Sequence, residues 1–252
     1  MTHCREEDYP NLFTVYTFRQ TAGRGQAGNA WESEPGKNLS FSTLFHIHTI
    51  EEASRLNMLV PLAVVRVLEN SLRLPLKGEE DIAAGFTIKW PNDIYWRDKK
   101  VAGLLNENVI IGNRIAYAVA GIGVNVNQEM FHSSAPNPVS LKQITGKTYE
   151  MEPMIDAIVQ EMRTLLPLLQ DFPALKAAYM ERLYRREGFH PYVEREVSVA
   201  PTMIAEAGKT NEEKHKPFLA EIADVDEFGR LVLRTEFGEQ RTYHFKEIRF
   251  VV

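Results

Sequence analysis

A chain of 252 residues, 44% hydrophobic and 25% charged, has the composition of an ordinary globular protein with room for one large domain and one small one. Its net charge of −5 lacks the basic excess of a nucleic-acid surface, and neither zinc-finger spacing nor a helix-turn-helix signal is present. One cysteine, Cys4, cannot close an internal disulfide, no apolar run reaches the ~18 residues of a membrane span, and residues 1–10 are polar and acidic rather than signal-like, so a cytoplasmic protein is expected.

Residues 13–18 are rich in β-branched and aromatic types and read as a strand. Residues 23–38 read as loop, and 39–47 as a second strand. Leu56, Leu59, Ala63 and Val67 recur at helical spacing within 51–70, although Pro61 is placed to kink or split that helix. A polar connection over 74–84 leads to a strand at 86–90, which ends at the turn signal Pro91-Asn92-Asp93. Short strands are expected at 94–96, 100–106 and 108–111, then a turn at Gly112-Asn113 and a buried strand over 114–126. Helices are expected at 153–169 and 175–186. Beyond about residue 191 the pattern changes to short alternating runs at 193–199, 218–225, 231–235 and 241–245, which suits a small β-barrel. The fold class is therefore α+β, a mixed sheet with flanking helices over 1–190, followed by an all-β domain over 191–252.

Two clusters carry chemistry. Gly23, Gly25 and Gly28 match G-x-G-x-x-G, but residues 29–36 lack the helical period that a dinucleotide fingerprint needs, and no Gly-Lys-Ser/Thr of a P-loop follows. A tight turn would explain isolated glycines. Arg24 adds a permanent cation amid backbone amides, and Trp31 a stacking surface, which together suit a phosphate or carboxylate. The second cluster is Lys89-Trp90-Pro91-Asn92-Asp93 with Lys99-Lys100 following. Lys100 opens the apolar run Val101 to Leu105, so its stem is expected to be partly buried, unlike a solvated surface pair. Gly121 and Gly123 lie in a strand ending at Asn125, where close approach by a ligand and simple packing are equal explanations. No dedicated metal motif stands out.

Four motifs in order, Gly-Arg-Gly-x-x-Gly-x-x-Trp, Lys-Trp-Pro-Asn-Asp, Lys-Val-Ala-Gly-Leu-Leu-x-Glu and Gly-Ile-Gly-Val-Asn-Val-Asn, resemble the biotin protein ligase family. The resemblance is strong over residues 13–128 and weaker over 218–251. It implies an SH3-like C-terminal barrel and a two-step reaction. Biotin's carboxylate attacks the α-phosphate of ATP, and a lysine of a biotin carboxyl carrier domain then attacks the biotinyl-5′-adenylate. Magnesium is expected with the nucleotide. The resemblance implies Lys100, Arg24 and Asp93 as catalytic residues, with Gln20, Gly23, Arg24, Lys100, Gly103, Leu105, Gly121 and Gly123 around biotin. It places Gly25, Gln26, Trp31, Lys89, Asn92 and Asn125 around the nucleotide.

It also implies a monofunctional enzyme without a DNA-binding domain, acting on a carrier protein and on neither nucleic acid nor membrane, with a homodimer left open. Residues 1–12 show no Ser-Thr-Asn segment of the kind that helps relatives hold biotin, so weak biotin binding is expected. Gln26 replaces an arginine that relatives use to retain the adenylate, so stray labelling of bystander lysines is expected. The rival readings are a lipoate-protein ligase and a non-catalytic biotin or nucleotide sensor.

Overall fold

The computed structural model describes residues 9–25, 30–72, 85–111, 114–132, 137–195 and 216–251. They form two compact units, Met1–Tyr184 and Arg185–Val252. The expectations on residues 1–8, on Gln26, on the connection over 74–84, on the turn at Gly112-Asn113 and on most of the charged stretch 206–217 lie outside the described residues.

In the first unit the strands are β1 (Thr14–Tyr16), β2 (Gly23–Arg24), β3 (Ala30–Trp31), β4 (Leu39–Phe45), β5 (Phe86–Lys89), β6 (Asp93–Trp96), β7 (Lys99–Ile111) and β8 (Arg114–Val124). Six of them build one antiparallel sheet in the order β1-β4-β8-β7-β6-β5. The two short strands expected at 100–106 and 108–111 are a single β7, with the irregularity confined to a register shift between Val109 and Ile110. Helix α1 (Ile50–Leu72) covers one face of the sheet. Pro61 neither splits nor ends it. A proline inside a helix costs roughly 3 kcal/mol. That cost is offset because Leu56, Leu59, Leu62, Ala63 and Leu68 are all 1% exposed or less.

Four features depart from the expected elements. First, α2 (Leu141–Thr145) was unforeseen; Ser140 and Gln143 close a capping box at its start, and Gly146 ends it at φ 71. Second, α3 (Glu152–Leu165) stops short of 169, and Leu166–Leu169 continues as a 3₁₀ turn. Pro167 has no N–H to extend the α ladder. Third, α4 (Phe172–Met180) begins and ends earlier than expected, because Asp171 caps it by accepting from Ala174 N at 3.1 Å. Fourth, the residues after α4 turn back onto β5: Ile88 N donates to Arg182 O at 2.7 Å and Tyr184 N to Ile88 O at 2.9 Å, which covers that sheet edge.

The second unit is a five-stranded antiparallel sheet in the order β12-β11-β10-β9-β13. Its strands are β9 (His190–Glu194), β10 (Phe218–Val225), β11 (Leu231–Thr235), β12 (Gln240–Tyr243) and β13 (Ile248–Phe250). β13 escapes the sequence reading because three residues give too little alternation. Tyr192, Leu231, Leu233 and Ala220 are fully buried, and Tyr192 meets Phe250 edge-on with centroids 5.0 Å apart. No helix among the described residues is long and apolar enough to cross a membrane.

Candidate active site

Strand pairing decides which side chains share a face. Asn106 of β7 donates to Asn57 of α1 at 2.9 Å, so residues of its parity face the helix. Gly103 and Leu105 therefore face the other way. Gly103 pairs with Gly123 and Leu105 with Gly121, and across β4 these continue as Ser40 and Ser42. Asp93 lies opposite Gly103, and Lys89 opposite Asp93. The face away from α1 thus carries a small-residue floor with charged groups at one end.

Lys100 and Asp93 form that charged end. Their Nζ and Oδ1 are 2.7 Å apart, with the side chains 22% and 26% exposed. A register shift between Ile94 and Tyr95 sets Lys100 opposite Tyr95. The backbone of Lys100 is strapped on its far edge. Its N–H donates to Asn137 O at 2.8 Å, and Val139 N donates to its carbonyl at 2.9 Å. Lys89 extends the same end: its Nζ donates to Tyr95 Oη at 3.1 Å and sits 4.8 Å from that ring's centroid.

The glycine-rich segment folds over the floor. β2 and β3 pair Gly23 with Trp31 and Arg24 with Ala30, a small hairpin where the sequence reading had only loop. A Cβ on Gly23 would lie 2.5 Å from Trp31 O, so only glycine permits this pairing. Gln20 Oε1 lies 3.1 Å from the same point. The Trp31 indole then rests on the floor: a Cβ on Gly123 would come within 2.8 Å of three indole atoms, and one on Gly103 within 3.0 Å. Lys100 Nζ is 5.8 Å from the Trp31 ring centroid. Trp31 thus packs directly against Gly103 and Gly123. Above Gly121 the nearest neighbours are Leu105 O at 3.5 Å and Ser42 Oγ at 3.9 Å.

Not every expected residue turns toward this floor. Asn125 is 3% exposed, and its Nδ2 faces the carbonyls of Lys100 at 3.4 Å and Val139 at 3.3 Å. Asn92 is buried, donates through Nδ2 to Leu104 O, and its backbone carbonyl accepts from Leu104 N. Asn125 holds the peptide of Lys100, and Asn92 ties the turn before β6 to Leu104 of β7. Tyr179 works likewise: its hydroxyl donates to Pro91 O at 3.3 Å, and burial holds its pKa far above the usual range, so it stays a donor. Arg24 is exposed, Gly25 half-buried, and Leu105 half-buried. Gln26 lies outside the described residues.

A buried amide network escapes the sequence reading. Gln128, 1% exposed, accepts from Asn38 Nδ2 at 2.5 Å and Glu34 N at 3.0 Å, and donates to Glu32 Oε1 at 3.0 Å. Asn38 Oδ1 accepts from Val126 N at 3.0 Å. The network ties the residues just after Trp31 to the end of β8. Asn38→Ala is expected to destabilise by about 1–3 kcal/mol, because it strands Val126 N and removes one of the two donors to Gln128 Oε1; urea unfolding measures it. Among the described residues no group of three or more His, Cys, Asp or Glu could hold a metal ion.

The model of the biotin/lipoate A/B protein ligase family matches residues 1–125, the segment that carries the floor, Lys100 and the hairpin. The bifunctional ligase/repressor BirA of Bacillus subtilis is 34% identical over 123 residues, 48% of this chain and 34% of that protein. The biotin–[acetyl-CoA-carboxylase] ligase of Paracoccus denitrificans is 28% identical over 234 residues, 90% of this chain and 85% of that one. This chain spans about a third of the Bacillus relative's length. The biotin protein ligase of Aquifex aeolicus, solved in complex with biotin and ATP, has the same fold, with a TM-score of 0.69 at 23% identity over 98% of this chain and 93% of that one. Residues 1–125, just under half of the chain, match the biotin/lipoate A/B protein ligase family.

Proposed function

We propose that this chain joins biotin to a lysine of a biotin carboxyl carrier domain, at the expense of ATP, through biotinyl-5′-adenylate. The observation that carries the reading is the Lys100–Asp93 pair, 2.7 Å apart, standing at the end of a glycine floor that the glycine-loop tryptophan covers. The name of the Paracoccus relative, which matches over most of both chains, supports the same chemistry.

In the first step an oxygen of the biotin carboxylate attacks the α-phosphorus of ATP and pyrophosphate leaves. Both reactants are anions. Lys100, held in place by Asp93 and by its strapped backbone, supplies the charge that lets them meet, and Arg24 supplies a second cation from the hairpin. In the second step the carrier lysine's amine attacks the acyl carbon, an amide forms and AMP leaves. That amine, with a free pKa of roughly 10.4, must lose a proton first. Asp93 orients Lys100 and, standing beside it, is the carboxylate assigned to help take that proton. Magnesium would arrive with the triphosphate, and the location is taken as cytoplasmic.

The test is incubation of the chain with biotin, ATP, magnesium and a carrier domain, followed by intact mass. The expected product is a carrier heavier by one biotinyl group. An unmodified carrier, with no adenylate detected in the chain's own fraction, would contradict the reading.

A further inference from the structure

We propose that the hydroxyl of Ser40 is a further substrate-binding group of this site, one that hydrogen-bonds the polar ring of the bound acid. The inference deepens the biotin reading and rests on it. Ser40 stands on β4 directly opposite Gly123. Partners in register present their side chains on one face. That face is the floor, because a Cβ on Gly123 would meet the Trp31 indole.

Ser40 is 6% exposed, and its Oγ has no hydrogen-bond partner among the described residues. Its neighbour Thr43 is also buried, yet Thr43 Oγ1 lies 3.0 Å from Thr14 Oγ1 and is satisfied. A second orphan belongs to the same floor. Trp31 Nε1 is buried without a partner, 2.7 Å from where a Gly123 Cβ would stand. Buried polar groups are almost always paired, so two unpaired ones at a single glycine call for an explanation. Packing alone would be served better by alanine and phenylalanine.

The chemistry of the two groups selects a ligand class. A hydroxyl both donates and accepts, whereas an indole N–H only donates. A cyclic urea presents a carbonyl acceptor and N–H donors along one edge, and the fused ring of biotin is such a urea. A disulfide ring, as in lipoate, offers no comparable partner. Ser40 is thereby a specificity-determining residue as well as a binding one.

The test compares the parent chain with Ser40→Ala by calorimetric titration with biotin and, separately, with ATP, alongside thermal melts. Loss of one buried hydrogen bond is expected to raise the biotin Kd roughly five- to tenfold, with the ATP Kd within about twofold of the parent and no drop in melting temperature. A biotin Kd within about twofold of the parent's overturns the assignment, whatever the melting temperature does. Should Ser40→Ala also melt lower, Ser40→Cys, which keeps the volume and weakens the hydrogen bond, decides: weakened biotin binding with parental ATP binding supports the role, and unchanged or equally weakened binding of both overturns it. Absence of biotin binding by the parent removes the biotin reading and this inference together. Tight binding by the parent that Ser40→Ala leaves intact removes this inference alone.

Discussion

Lys100→Ala is expected to reduce biotin-dependent pyrophosphate release by roughly 10²–10³-fold while leaving the fold intact, the usual consequence of removing a donor aimed at developing charge. A unit charge pair ~4 Å apart is worth about 4 kcal/mol at an effective dielectric of about 20, enough to decide whether carboxylate and phosphate can approach. The fold survives because the lysine is held by its backbone rather than by its charge. Asn137, Val139 and Asn125 all bond peptide groups of residue 100, which alanine retains. Asp93 loses its partner but is 26% exposed, so water solvates it. Circular dichroism and melting check the fold, and a phosphate-coupled assay checks the rate. Undiminished release by a folded variant would remove Lys100 from the chemistry.

The second large effect concerns the floor. Gly123→Val is expected to abolish measurable biotin binding, whereas Gly121→Ala is expected to stay within about threefold of the parent, the small change usual where a new methyl finds room. The difference is spatial. A Cβ at residue 123 falls 2.5 Å from Trp31 Cε2, while at residue 121 the nearest atom is 3.5 Å away. Valine's two further carbons would fill the floor even after the indole moved aside. Gly123, near the end of β8, is paired on both sides, with Ser40 of β4 and Gly103 of β7, where β-branched residues are at home, so the loss would reflect occupied space rather than lost stability. Calorimetry with biotin, paired with urea unfolding, separates the two. Normal biotin affinity in Gly123→Val would show that the floor is not where the acid binds.

Much of this molecule was legible from residue patterns, and the parts that were not share a physical reason. Long periodic segments such as α1, α3 and β8 declare themselves because burial of one stripe or face repeats along the chain. The order β1-β4-β8-β7-β6-β5 is set by pairings between residues as far apart as Leu39 and Val124, which no local window contains. The association of Lys100 with the Asp93 turn could be anticipated, because Asp93 opens β6 and Lys100 lies at the start of β7, on either side of a tight connection. The direction of Asn92 and Asn125 could not. Membership of a motif does not say whether an amide faces a ligand or a backbone carbonyl, and here both face carbonyls. The hairpin of β2 and β3 was equally hidden, since it depends on the absence of a Cβ at Gly23 against a carbonyl eight residues later. Ser40 gave no signal at all. Its significance comes from standing across from Gly123 without a partner, which only the register reveals.

The measurement that bears most directly on the central claim is exchange of labelled pyrophosphate into ATP by the purified chain, run with biotin, with lipoate and with neither. Exchange that requires biotin and ignores lipoate is expected. No biotin-dependent exchange by the folded chain, or exchange equally strong with lipoate, would contradict it.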